Sequence, residues 1–489
     1  MRIYRLVLFA LFVLGLAIRL CDLTDPPLDY HPTRQLHMAI IARGLYYQIS
    51  PSADARQTQL AIALGNSMGQ YEPHILDTVL AYTYKLAGGE RLWFARIYNS
   101  LFWLIGGAAL FALARRMASL GGAIVALSFY LFLPFGVFGS RALLPDVGMV
   151  MWILLAAYAF HRWGETPQWK WAVFAGVAAG MAIYTKVNAA PVIGGLTIAT
   201  VLFTPGLRRA FRQPQVWAIA VLMVTPALFY QWFGMHGQTA GRIENWTVAM
   251  LYLLIEPSFY VRWLNLLQNE MGLTVLLLGV AGLVTAKPFS RAQLVGLWVG
   301  YGLYGMVFPH QITTHNYYSL LFVPIVALSL APLGVLLFEK LSQLSLFWRA
   351  IVLGAALIVT AHQLWFSYSV LVGQDFRDVP AYWQKVEQAL PPQGKIIALT
   401  QDYGERLMYY GWRKVSLWPN QASLKLSEKR EKARKDFEVE FASRTEGKDY
   451  FLITSFDQLD KQPLLKEMLN RYPVYAKGDG YLIFALRSP

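Results

Sequence analysis

Five side chains scattered along the sequence have the types needed to displace a group from phosphate: Asp29, Glu72, Asp146, Lys186 and His315. A carboxylate such as Asp29 or Asp146 takes a proton from an attacking hydroxyl, while cations such as Arg141 and Lys186 hold an anionic leaving group. His315 adds a titratable ring, and Tyr317 and Tyr318 follow it closely. Each group sits in a short motif: Asp29-Tyr30-His31-Pro32-Thr33-Arg34-Gln35, Tyr71-Glu72-Pro73-His74, Ser140-Arg141 through Pro145-Asp146, Tyr184-Thr185-Lys186-Val187-Asn188, and Thr314-His315-Asn316-Tyr317-Tyr318. Taken singly, each has an ordinary explanation. Arg141 could pair with Asp146, Lys186 could snorkel from a helix end, and Asp29 could cap a loop helix. The set as a whole is what points to chemistry.

The elements that must position these residues are membrane helices. Of 489 residues 56% are apolar and 15% charged, and the mean hydropathy is positive, a balance that suits a polytopic membrane protein. Apolar stretches long enough to cross about 30 Å of hydrocarbon fall near 4–20, 92–113, 119–138, 143–161, 170–185, 188–204, 215–233, 271–286, 292–309, 316–338 and 350–370, about eleven spans. Arg2 and Arg5 precede the first run as they would in a signal peptide, but no small-residue cleavage site follows. The first run therefore reads as an uncleaved helix entering from the cytoplasm.

Alternating the loops places Arg2, Arg5, Arg115, Arg116, Arg162, Lys170, Arg208, Arg209, Arg212, Lys287, Arg291, Lys340 and Arg349 inside. With the long first loop and the tail excluded, Arg141, Lys186, Arg242 and Arg262 fall outside. Thirteen against four follows the positive-inside rule. It also explains much of the net charge of +14 without a nucleic-acid partner. The same alternation carries all five chemical candidates and the C-terminal tail to the extracytoplasmic face of a plasma or inner membrane. A single cysteine, Cys21, allows no intrachain disulfide and no thiolate metal cluster.

The fold expected is thus an α-helical polytopic membrane domain over 1–370 with a small extracytoplasmic α/β domain over 371–489. Within the first domain, 21–91 is a long outer loop, and the spacing of Leu36, Ile40 and Tyr47 predicts an interfacial helix lying on the membrane over 33–48. In the tail, apolar runs at 396–400, 450–454 and 481–486 predict strands, and 381–390 and 462–471 predict helices. The Lys, Arg and Glu mixture over 425–435 reads as a solvated helix face.

GxxxxGK[ST], strand–GxGxxG–helix and HExxH motifs are missing from the sequence, so nucleotide-driven transport, dinucleotide chemistry and metalloprotease activity lack local support. The motifs present, together with Gly89-Glu90-Arg91-Leu92-Trp93-Phe94-Ala95-Arg96, resemble the GT-C superfamily of polytopic glycosyltransferases that use polyprenyl-phosphate sugars. The resemblance covers roughly residues 5–330. It is nearest to the protein mannosyltransferase and aminoarabinose (lipid A) transferase branch.

The resemblance implies that Asp29 is the first-loop catalytic acid and Asp146 the second acidic position. It implies that Arg141, Lys186 and His315, with Tyr317 and Tyr318, hold donor phosphate. Glu72, His31 and Arg34 are acceptor or metal candidates, and a divalent metal ion (Mg, Mn or Zn) is left open. Family members often carry adjacent first-loop acids, whereas Tyr30 and His31 follow Asp29 here, which makes Asp22 and Asp25 alternative bases. The WWD signature of oligosaccharyltransferases is missing.

The reaction expected is inverting transfer of a sugar from a polyprenyl-phosphate donor to the hydroxyl of a glycan, lipid or protein acceptor. The outer loop 234–269 and the tail are expected to shape the acceptor pocket. The alternative is a non-enzymatic transporter or flippase of lipid-linked sugars, which would want charges at mid-span or on both faces.

Overall fold

The structure, a computed structural model, describes residues 2–233, 247–431 and 436–487. Arg242 and part of the expected acceptor loop lie outside the described residues, as does the end of the charged 425–435 run. Each of the eleven apolar stretches is helical. The helices are Arg2–Leu20, Trp93–Met117, the pair Leu120–Phe132 and Pro134–Arg141, Pro145–Glu165, Trp169–Thr185, Ala190–Phe203, Pro214–Phe233, Leu273–Thr285, Pro288–Val307, Phe322–Gln343 and Leu346–Gly373. By length and apolarity alone, four helices among the described residues are able to cross a membrane, or up to six if each bent pair is one span.

The chain divides into two compact units, each discontinuous in sequence. The first comprises Met1–Leu23, Gln70–Leu76 and Trp93–Gln374. Its helices pack in close pairs: Trp93–Met117 and Trp169–Thr185 along Pro145–Glu165, Ala190–Phe203 on Pro288–Val307, and Phe322–Gln343 on Leu120–Phe132. Small residues permit the approach. A methyl added at Gly195 or Gly296 would strike the carbonyl of the other, the kind of contact that holds helices together in lipid. The Leu346–Gly373 helix presents Leu357, Ile358, Val359 and Trp365 outwards, as a lipid-facing helix does.

Two helix pairs in this unit are sharply bent. Pro134 has no N–H with which to continue the Leu120–Phe132 ladder and holds Leu133 at ψ 121°, producing a 60° bend. Pro257–Glu270 and Leu273–Thr285 meet at 95°, where Gly272 takes φ +85°, a conformation suited to glycine.

The second unit comprises Thr24–Gly69, Asp77–Leu92 and Asp375–Pro489, so the tail folds together with most of the 21–91 segment. Its sheet has the order β2-β1-β3-β5-β4. β1 (Ile396–Leu399) runs parallel to β2 (Ser416–Leu417) and to β3 (Tyr450–Ile453), and β5 (Tyr481–Ala485) runs antiparallel to β3 and to β4 (Val474–Gly478). The three expected strands are β1, β3 and β5, and the expected helices are Val379–Gln388 and Pro463–Leu469. Ile397, Leu399, Phe451, Ile453 and Phe484 pack with Trp418, Phe441 and Leu465 into one core.

The helix expected over 33–48 requires correction. Pro32–Ile49 does not present a wet face along its length: Gln35 through Gly44 are all buried. Its backbone meets the Ala55–Ser67 helix at Gly44 and Gly65, where a methyl on either would come within 3.1 Å of the other's Cα. Its polar residues His37 and Arg43 are buried against partners far along the chain. The helix is a core element of the second unit.

Candidate active site

In the first unit three chain breaks deliver the chemical groups. Pro145 starts the Pro145–Glu165 helix and places Asp146 in its first turn, where the helix dipole favours a carboxylate. The Trp169–Thr185 helix stops at Lys186, which is extended at φ −156°, and a short 3₁₀ turn, Val187–Ala189, follows. The Pro309–Thr314 helix ends at His315, and Asn316–Ser319 form another such turn carrying Tyr317 and Tyr318.

These breaks converge on one ammonium group. Lys186 Nζ donates to both oxygens of Asp146, each at 2.9 Å, and both side chains are buried. Glu72 Oε1 lies 3.9 Å from the same nitrogen. The Tyr317 and Tyr318 ring centroids lie 5.1 and 4.7 Å from it, within range of a cation–π attraction. His315 packs on both tyrosines, with centroids 5.6 and 6.1 Å apart, and its Nδ1 lies 2.7 Å from the Thr314 hydroxyl. Glu72, Asp146, Lys186, His315, Tyr317 and Tyr318 are therefore brought together.

Arg141 is almost completely buried, and its Nη2 donates to the Asp22 carbonyl at 3.0 Å. Arg96 donates to the carbonyls of Asp22 and Leu23 at 2.9 and 3.0 Å. Two guanidinium groups thus gather the chain leaving the first helix, where Asp22 takes a left-handed φ of +48°. Burial, and after it Arg262, pushes the His310 imidazole below its ordinary range.

Asp29, His31 and Arg34 belong to the second unit. Asp25, the alternative base, accepts the Phe376 N–H at 2.9 Å and is buried. A metal has no ready cradle: among the described residues no group of three or more His, Cys, Asp or Glu side chains converges. Between Glu72 and Asp146, the place a cation would take is held by the Lys186 ammonium.

The contacts of three carboxylates, Glu270, Glu90 and Glu405, are not legible in the sequence. Glu270 is buried beside the 95° bend, and the Ser319 hydroxyl faces it without closing a hydrogen bond to either oxygen. Ser319 bonds the Tyr301 hydroxyl at 3.1 Å, and Trp263 Nε1 donates to that hydroxyl at 3.2 Å. The available signal was a lone carboxylate at the edge of an apolar stretch. In the second unit, Glu90 and Glu405 anchor Arg43 and His37.

A family model described as dolichyl-phosphate-mannose-protein mannosyltransferase matches residues 72–232, a stretch that includes Glu72, Arg141, Asp146 and Lys186. The crystal structure of ArnT from Cupriavidus metallidurans in the apo state is similar over 98% of this chain and 97% of that chain, with TM-score 0.56 and 16% identity. The same protein bound to undecaprenyl phosphate is similar at TM-score 0.53 and 16% identity, with the same coverage. The archaeal oligosaccharyltransferase AglB from Archaeoglobus fulgidus, in complex with an inhibitory peptide and a dolichol-phosphate, is similar at TM-score 0.52 and 12% identity, over 98% of this chain and 74% of that one. The chain has the GT-C fold. No curated protein matches it in sequence. The expected architecture of a helical membrane region with a small C-terminal α/β domain is that of a GT-C protein.

Proposed function

We propose that the chain is a glycosyltransferase that moves a sugar from a polyprenyl-phosphate donor to an acceptor hydroxyl, with inversion, at the extracytoplasmic face of a plasma or inner membrane. The observation that carries this reading is the buried Lys186 ammonium, fixed by both oxygens of Asp146 and flanked by Glu72 and two tyrosines. Buried ionisable groups among membrane helices mark functional sites, and the mannosyltransferase family model covers the stretch bearing three of them. Undecaprenyl phosphate and dolichol-phosphate in the neighbouring structures support a lipid-phosphate donor.

The charges explain the division of labour. Lys186 donates to both oxygens of Asp146, so Asp146 orients the lysine and the ammonium charge faces the phosphate oxygen of the departing lipid. Arg141 and His315 share that leaving-group role, with the Tyr317 and Tyr318 hydroxyls beside them. Well-placed donors of this kind contribute about 3–4 kcal/mol each to transition-state stabilisation. Asp29 is the base that takes the acceptor proton as the hydroxyl attacks the anomeric carbon opposite the phosphate, through an oxocarbenium-like transition state. Glu72 contacts the acceptor, with His31 and Arg34 as further acceptor candidates. No step is routed through a metal.

Purified protein in detergent, given undecaprenyl phosphate bearing mannose, glucose or 4-amino-4-deoxyarabinose and a membrane lipid or glycan extract as acceptor, should release undecaprenyl phosphate. A transporter leaves the sugar–phosphate bond intact and releases no undecaprenyl phosphate, with or without a sealed membrane. Asp29→Asn should abolish release; full activity in that variant overturns the base assignment.

A further inference from the structure

Within the second unit, the backbone around Asp29 is tied to the C-terminal segment on both sides. Before it, Asp25 Oδ1 accepts the Phe376 N–H at 2.9 Å. After it, the Thr33 hydroxyl donates to Asp402 Oδ1 at 3.3 Å, and His37 Nδ1 lies 3.4 Å from Glu405 Oε1. His37 is fixed at its other nitrogen by the Gly69 carbonyl at 2.8 Å. Asp29 thus lies on a short span of chain bracketed by contacts to residues 351 to 369 positions away.

Both sides of the second tie carry backbone strain. Asp402 (φ 47°, ψ 42°) and Tyr403 (φ 52°, ψ 32°) are left-handed non-glycine residues, and Gly404 continues the run at φ +76°. Opposite them His31 takes φ +46° at the start of the Pro32–Ile49 helix. Such conformations are disfavoured outside glycine and persist where surrounding contacts over-determine them, which happens most often at functional sites. Here the contacts are Thr33 and Arg406 on Asp402, and the Gln35 amide donating to the Tyr30 carbonyl at 2.6 Å. Glu405 is buried beside His37, with Oε2 lacking a hydrogen-bond partner, an expensive arrangement to keep for packing alone.

We infer that the turn Gln401–Glu405, after β1, positions the catalytic first loop, with Asp402 and Glu405 as positioning residues that act through Thr33 and His37 to fix Asp29. The inference rests on Asp29 being the base, and it gives the C-terminal sheet a part in turnover rather than an accessory one.

The test uses the full-length protein in detergent, with release of undecaprenyl phosphate from its sugar-bearing form as the activity and binding of undecaprenyl phosphate alone as the control. Thr33→Val, which removes only the hydroxyl, and Asp402→Ala should each lower kcat on the order of 10- to 100-fold, since misplacement by about 1 Å costs that much. KM, lipid binding and thermal melting should stay near wild type. Asp402→Asn, which keeps the acceptor for Thr33, should recover most of the rate. If Asp29→Asn is inactive while Thr33→Val and Asp402→Ala turn over within twofold of wild type, the positioning role is wrong. If Asp402→Ala loses folding, Thr33→Val decides alone. If Asp29→Asn is fully active, the base assignment fails and this inference with it, a result distinguishable from failure of the positioning step.

Discussion

Both units bury a cation against a carboxylate, yet the two pairs are built for different ends. In the second unit Arg43 lies between the Tyr409 and Trp412 rings, 3.8 and 4.0 Å from their centroids. Its Nε donates to both Glu90 oxygens at 3.1 and 2.9 Å, its Nη1 donates to the Tyr409 carbonyl at 2.6 Å, and the Tyr409 hydroxyl closes on Glu90 at 3.1 Å. Burial alone would lower the Arg43 pKa, but Tyr409 and Glu90 outweigh it and raise it. Rings cover both guanidinium faces and its edge is bonded, so the group is locked. In the first unit Lys186 is a compact point charge held mainly by one carboxylate, with a second carboxylate 3.9 Å away and two phenols near it. A planar arginine stacked on rings and bonded along its edge suits structure, whereas a compact lysine charge among carboxylates and phenols suits chemistry.

The comparison breaks most readily at Arg43. Arg43→Met leaves the half-buried Glu90 without its cation and should destabilise the second unit by up to about 3 kcal/mol, seen as faster hydrogen exchange over Pro32–Ile49. Arg43→Met with Glu90→Leu should recover much of that loss, because removing both charges is far cheaper than stranding one. Lys186→Met should lower transfer on the order of 10²- to 10³-fold, about 3–4 kcal/mol, and also lower stability by stranding Asp146. Adding Asp146→Asn should restore stability but not activity. Equal activity recovery in that double variant would make the Lys186 pair structural after all.

A smaller, pH-dependent effect belongs to Glu405. Burial raises its carboxyl pKa first of all; His37 and Arg34 pull it down and Asp402 adds to the rise. The folded protein therefore binds this proton more tightly than the unfolded chain does. Its contribution is fully present below the ordinary glutamate range and is lost as pH rises through the raised value. Melting curves of wild type against Glu405→Gln should separate in that window, with the variant flatter. Smallest of all is Lys466→Ala, which breaks an exposed pair with Asp460 at 2.8 Å and should shift stability by less than about 1 kcal/mol.

Legibility in the sequence follows the range of the interaction. The helices were readable because hydrocarbon demands long apolar runs, whereas the meeting of Glu72, Asp146 and Lys186 depends on chain breaks far apart in sequence. β1, β3 and β5 were readable as buried apolar runs, whereas two-residue β2 and the half-exposed β4 offered no such run. The Pro32–Ile49 helix misled because His37 and Arg43 look like a wet face until partners 366 and 368 residues away are known. Glu90 lies within the Gly89–Arg96 motif, but its partner Arg43 is 47 residues earlier with no periodic signal linking the two.

The most direct test is turnover itself: release of undecaprenyl phosphate from undecaprenyl-phosphate sugars by purified protein in detergent, wild type beside Lys186→Met. The account predicts acceptor-dependent release by wild type with at least one of the sugars, and a loss on the order of 10²-fold or more in the variant. Release that is equal in the two proteins, or missing from wild type with every donor, would contradict it.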